Sequence, residues 1–168
     1  MEQPATFHDL NGASVYITGG GSGVGAALTD GFLAQGAHVA FIGRSDAGDF
    51  VEHMRDKHGR APLFMQGDMT DTQLLHATMA KAAEAHGPLT VLVNNAANDQ
   101  RHSLDETTTE FWDWMIEVNL KAYYFACQEA ARQMQQSGGS IINFSSISYM
   151  MGNAGYPVYT TSNAGITG

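Results

Sequence analysis

The chain has 168 residues, 43% of them hydrophobic, which is the length and apolar content of one domain (residues 1–168) with a sizeable core. Eight basic against 17 acidic side chains leave a net charge of −9, which argues against nucleic acid or an anionic membrane as a partner. No apolar run reaches the roughly 18 residues of a membrane span. Cys127 is the single cysteine, and residues 1–10 carry Glu2 and Asp9 without the apolar stretch of a secretory leader, so a cytoplasmic setting is expected.

In chain order, residues 15–18 read as a short buried strand that Gly19, Gly20, Gly21, Gly23 and Gly25 interrupt before a helix over residues 26–35. A strand turning through glycines into a helix leaves backbone N–H groups at the positive end of the helix dipole, a geometry that holds phosphate or pyrophosphate. The spacing from Thr18 to Gly25 is a variant of the dinucleotide fingerprint; no Gly-Lys-Ser/Thr follows, so it is not a P-loop. Further strands are predicted over 37–42, 62–66, 89–93 and 140–144. Helices are predicted over 46–58, from a Thr70/Gln73 capping box to residue 85, and from a Thr107/Glu110 capping box to residue 136. A Ser- and Gly-rich loop over 145–156 precedes a last helix opened by Pro157. Alternating strands and helices predict an α/β fold, a parallel sheet doubly wound in the Rossmann manner. The unusual stretches 18–25, 43–45, 67–68, 94–97 and 145–148 all fall at carboxyl ends of strands, where such sheets bind ligands.

Four motifs in register resemble the short-chain dehydrogenase/reductase family from about residue 10 onward. They are the glycine turn, Asn94-Asn95-Ala96-Ala97 after strand four, Asn119 in Val118-Asn119-Leu120, and Ser146 thirteen residues before Tyr159. The loop Asn98-Asp99-Gln100-Arg101-His102 and Trp112 are further similar to bacterial members that oxidise aldoses, D-xylose dehydrogenases in particular. The resemblance implies hydride transfer between a nicotinamide and a sugar or other small alcohol or carbonyl. It makes Tyr159 the acid/base, Ser146 a hydrogen-bond donor to the same substrate oxygen, and Asn119 the holder of a relay water. The cofactor would lie on Thr18, Gly19, Gly21, Ser22, Gly23, Val24, Gly25, Arg44, Ser45, Asp68, Met69, Asn95 and Ala96, with Asn94 also on the adenosine side. Arg101 and His102 are the candidate substrate contacts.

Two departures stand out. Asn163 occupies the position where the family places a lysine that assists the tyrosine, and none of Lys57, Lys81 or Lys121 stands at a motif position that replaces it. The family also continues through further strands, so the chain resembles a C-terminally incomplete member with strand five left as an apolar edge. An enzyme impaired on both counts is one expectation. A non-catalytic NAD(P)-binding or assembly module is the alternative. Gly43-Arg44-Ser45 after strand two puts a cation and a hydroxyl where an acidic residue would favour NAD, so NADP is expected ahead of NAD. Of the seven histidines, His38, His53, His58, His76, His86 and His102 show no ligand spacing, and no metal is expected. The Asn143 sequon lies on a predicted buried strand and is discounted. The aromatic residues of the helix over 107–136 are either core or a homodimer or homotetramer surface.

Overall fold

The computed structural model describes residues 5–152 and 154–168. Five parallel strands, β1 Ser14–Thr18, β2 His38–Gly43, β3 Leu63–Gln66, β4 Val91–Asn94 and β5 Ser140–Asn143, form one sheet in the order β3-β2-β1-β4-β5. Strands one to three step outward in one direction, and strands four and five return to the other side of β1. The winding therefore reverses between β1 and β4.

Helices cover both faces: α1 Gly23–Ala34, α2 Gly48–His58, α3 Thr72–His86, α4 Thr109–Ile116, α5 Ala122–Gln133, α6 Ser148–Met151 and α7 Pro157–Ile166. The period of two in a strand distributes β1 between two cores. Val15 and Ile17 pack with Val39, Phe41, Val93, Leu33 and Met54 on the α1/α2 side. Tyr16 packs with Ile42, Leu75, Met79, Leu92 and Ala126 on the α3/α5 side. Sheets buried on both faces require the continuous apolar runs read from the sequence. The Tyr16 hydroxyl is 2.6 Å from Thr78 Oγ1, which itself donates to the Leu75 carbonyl, so Tyr16 is the donor to Thr78. No described helix is long and apolar enough to cross a membrane.

Several expected boundaries shift for identifiable reasons. The α3 cap is Asp71, whose carboxylate accepts from the Gln73 and Leu74 N–H groups; Thr70 is instead tied to the Asp68 side chain through its N–H and hydroxyl. Thr108, not Thr107, caps α4, and the reciprocal box lies a turn earlier, between Ser103 and Glu106. The expected helix to residue 136 is broken by a π turn at Glu117–Lys121 and ends at Gln133. The loop after β5 contains α6, while α7 begins at Pro157 as predicted. Ile141 and Ile142 are 39% and 44% exposed, so β5 is an apolar edge as expected. The burial expected around Asn143 is not found, because all four residues of the strand are exposed.

At the opposite end of the sheet from the carboxyl termini, His38 and His86 stack with ring centroids 5.3 Å apart, and the buried Nδ1 of His86 has no hydrogen-bond partner among the described residues. Burial and then the neighbouring His38 hold His86 below the ordinary imidazole range. The folded state thus resists a proton that the unfolded chain accepts. Stability should be complete above the ordinary value of about 6.5 and fall as pH drops through the lower folded value. Asp30, lowered mainly by its bonds to Lys57 and His58, has the same sign in the more acidic carboxylate window. Urea melts at pH 8 and pH 5.5 should show the loss, and His38→Gln should reduce it.

Candidate active site and nucleotide cleft

Thr18 ends β1 at the point where the winding reverses. Its hydroxyl accepts the Asn95 and Ala96 N–H groups at 3.0 and 3.1 Å, and Asn95 Nδ2 donates to the carbonyls of Thr18 and Gly19 at 3.0 and 3.3 Å. The two strand ends are bolted together. Thr18→Val keeps the shape but leaves two partly buried N–H groups without their acceptor, so it should cost about 1–3 kcal/mol, read in urea denaturation.

The glycine turn needs its glycines. Gly19 has φ +70°, and a Cβ on Gly20 would lie 2.5 Å from Phe41 Cβ. The Gly19 N–H donates to the Ile42 carbonyl at 2.8 Å, and the buried Thr29 hydroxyl donates to the Gly20 carbonyl at 2.8 Å. Helix α1 starts three residues earlier than expected, at Gly23, and its N-cap Ser22 makes no side-chain cap bond, unlike Asp71 on α3 and Thr108 on α4. Uncapped N–H groups at a helix start suit an anion.

These N–H groups border a cleft of about 480 Å³ that collects Gly19, Gly21, Ser22, Val24 and Gly25 from the turn, Arg44 and Ser45 after β2, Asp68 and Met69 after β3, and Asn95 and Ala96 after β4. Thr18 lies buried beneath it, and Gly23 opens α1 outside its lining. Asn94 does not face the cleft: it is fully buried, and its amide donates to Asn143 Oδ1 at 2.9 Å and Cys127 Sγ at 3.3 Å. The Arg44 side chain is exposed and pairs with no acidic group among the described residues. The Asp46 carboxylate shares that corner but accepts the Gly48 N–H at 3.1 Å. An uncapped helix start, a turn closed to side chains and an unengaged cation fit a dinucleotide.

The other candidates lie on segments laced to α7, outside the lining of this cleft. Asn119 sits in the π turn, buried, with Oδ1 accepting the Asn98 N–H at 2.8 Å and Nδ2 donating to the Asn98 carbonyl at 3.0 Å. Its side chain therefore clamps the loop after β4. Ser146 is half-buried and its Oγ accepts the Ser148 N–H at 3.2 Å. Tyr159, half-buried on the first turn of α7, meets Tyr156 edge-on with centroids 5.6 Å apart. Asn163 is buried and its amide donates to the Tyr159 carbonyl at 2.9 Å, one turn back in the same helix. The Ser145 hydroxyl donates to the Asn163 carbonyl at 3.0 Å, joining the β5 loop to α7. Lys57 pairs with Asp30 and Lys121 with Glu117, so neither supplies the charge absent at position 163.

Arg101 stacks its guanidinium on the Tyr156 ring, 4.4 Å from the centroid. His102 departs from the expected substrate contact, because both its ring nitrogens are engaged with backbone: Nδ1 lies 2.9 Å from the Gln100 carbonyl, and Nε2 accepts the Val158 N–H at 3.1 Å. Both residues also line a second groove of about 550 Å³ beside Leu104 and Pro157. Among the described residues no three His, Cys, Asp or Glu side chains gather as a metal site.

Sequence reasoning missed Thr29, Asp46, Val118 and Tyr123. Val118 reaches the cleft from the π turn, and no residue pattern announces a π turn. Tyr123 is buried with a hydroxyl that finds no partner among the described residues; burial first, then the nearby Tyr159 and Cys127, push its proton loss upward.

Residues 13–168 match the family described as short chain dehydrogenase. The chain belongs to that family. Among short-chain dehydrogenases it is 43% identical over 165 residues to "Probable galactose dehydrogenase GalD" of Rhizobium meliloti (strain 1021), covering 96% of this chain and 64% of that protein. It is 40% identical over 166 residues to D-xylose 1-dehydrogenase of Caulobacter vibrioides (strain NA1000 / CB15N), covering 98% and 65%. A solved short-chain dehydrogenase/reductase from Serratia marcescens superposes with a TM-score of 0.86 at 31% identity, over 95% of this chain and 66% of that one. The chain thus spans a little under two thirds of the length of the curated relatives named here. Short-chain dehydrogenases bind NAD(P) in general.

Proposed function

We propose that this chain is the nucleotide-binding and acid/base part of an oxidoreductase acting on a sugar or similar small hydroxyl compound, with NADP as its preferred cofactor. The observation that carries the reading is the uncapped start of α1, held by the Thr18–Asn95 bolt in a cleft at the reversal point of the sheet. When bound, the nicotinamide supplies the hydride acceptor or donor. Tyr159 exchanges the proton of the substrate oxygen, Ser146 donates a hydrogen bond to that oxygen, and Asn119 holds the β4 loop beside them. The names of the galactose and D-xylose relatives support a sugar as substrate. Arg44 and Ser45, with glycine at 43, favour a ribose 2′-phosphate. The exposed Trp112 and Tyr124 are the surface we assign to a homodimer or homotetramer in the cytoplasm.

Calorimetric titration tests the reading. NADP⁺ should bind more tightly than NAD⁺, and Arg44→Ala should weaken NADP⁺ by about tenfold, a loss of about 1.4 kcal/mol, while sparing NAD⁺. Equal binding untouched by Arg44→Ala would transfer the assignment to NAD, and no binding of either would remove the function altogether. One observation favours a second reading, a binding or assembly module without turnover. Asn163 is a neutral amide already satisfied by the Tyr159 carbonyl and brings no charge to the phenol.

A further inference from the structure

Helix α7 begins with a difficulty. Pro157 has no N–H, the N-cap residue Tyr156 makes no side-chain cap bond, and the first helical N–H available is that of Val158, in a buried position. A side chain 56 residues away supplies the missing acceptor: Val158 N–H donates to His102 Nε2 at 3.1 Å. The other ring nitrogen of His102 is 2.9 Å from the Gln100 carbonyl, and its backbone N–H donates to the Gly155 carbonyl at 2.9 Å. A carbonyl can only accept and a backbone N–H can only donate, so the partners dictate one form of the ring, neutral with the proton on Nδ1. His102 is 8% exposed, and its ring packs on Phe111 of α4 with centroids 4.6 Å apart. Of the neighbouring charges, Arg101 is turned away onto Tyr156, and the Glu106 carboxylate accepts the Ser103 N–H and hydroxyl.

We propose that His102 is the positioning residue for Tyr159: its neutral imidazole caps α7 and fixes the helix turn from which the tyrosine projects. Tyr159 follows Val158 directly, so the bond that anchors Val158 sets the backbone carrying the phenol. This rests on reading Tyr159 as the acid/base, but the cap itself is measurable without turnover.

The first measurement uses the unmodified protein. A long-range ¹H–¹⁵N spectrum at pH 7.5 should show the neutral Nδ1–H form of His102; an Nε2–H or doubly protonated ring would overturn the proposal. Two variants follow. His102→Phe keeps the ring volume against Phe111 and removes the acceptor, and His102→Gln retains an acceptor near the Nε2 position. In the Phe variant, amide exchange at Val158 should rise about tenfold, the loss typical of a removed cap, with β1 and β2 amides unchanged. The ¹³Cζ resonance of Tyr159 should shift with it. The Gln variant should restore most of both. Unchanged Val158 exchange and an unchanged Tyr159 resonance in the Phe variant would overturn the proposal, as would equal disruption by Phe and Gln. Failure of the chain to bind any nicotinamide nucleotide would instead strike at the oxidoreductase reading and leave the cap measurements standing.

Discussion

Gly25→Ala is expected to abolish nucleotide binding and to destabilise the chain by about 3 kcal/mol. The added Cβ would lie 1.9 Å from the Gly19 carbonyl oxygen and 2.7 Å from Asn95 Nδ2. Gly19 cannot yield, since its N–H is bonded to Ile42 and its carbonyl to Asn95. Relief would therefore pull the α1 start away from the β4 end and spoil the anion site together with the bolt. Gly31→Ala in the same helix is the control: a Cβ there meets nothing within 4 Å. It should stabilise the chain by about 0.5–1 kcal/mol and leave affinity alone. Urea denaturation and calorimetric titration with NADP⁺ read both effects. Wild-type affinity in Gly25→Ala would mean that the cleft is not where the pyrophosphate rests.

Asn163→Lys is expected to raise turnover of galactose or xylose with NADP⁺ more than tenfold. A unit charge 4 Å from a phenol is worth about 4 kcal/mol at an effective dielectric of about 20. Half of that corresponds to a factor of about 30 in rate. The substitution also buries an ammonium group and removes the bond from Asn163 to the Tyr159 carbonyl, so a stability loss of about 1–2 kcal/mol should accompany the gain. Asn163→Gln adds length without charge and should give no increase. Tight nucleotide binding with no turnover in either variant would establish the module reading and dismiss the enzyme.

The parts of the fold visible in the residues were those governed by local chemistry. The β-branched run before Gly19, the double-sided apolar strands and Pro157 at the head of α7 each follow from a backbone or burial rule that one segment expresses alone. The glycine turn was legible for the same reason, although Thr18 and Gly23 fall outside the lining of the cleft. Capping was harder. Thr70 and Thr107 have the same chemistry as the residues that do cap, and only the path of the preceding loop selects Asp71 and Thr108. The tertiary roles were not readable. Asn119 and His102 each bond to the backbone of another segment or of a loop that segment meets, and nothing in their own neighbourhoods encodes the partner. Asn94 and Asn95 make the point within one dipeptide, because successive residues at a strand end point to opposite sides and only one reaches the cleft.

Among the described residues, those that border the cleft all lie from Gly19 to Val118. On the proposed reading, coenzyme recognition is therefore encoded ahead of proton chemistry along the chain. Every segment that would receive the dinucleotide then leaves the ribosome before β5 does, so nucleotide present at that moment would meet its own half of the chain first.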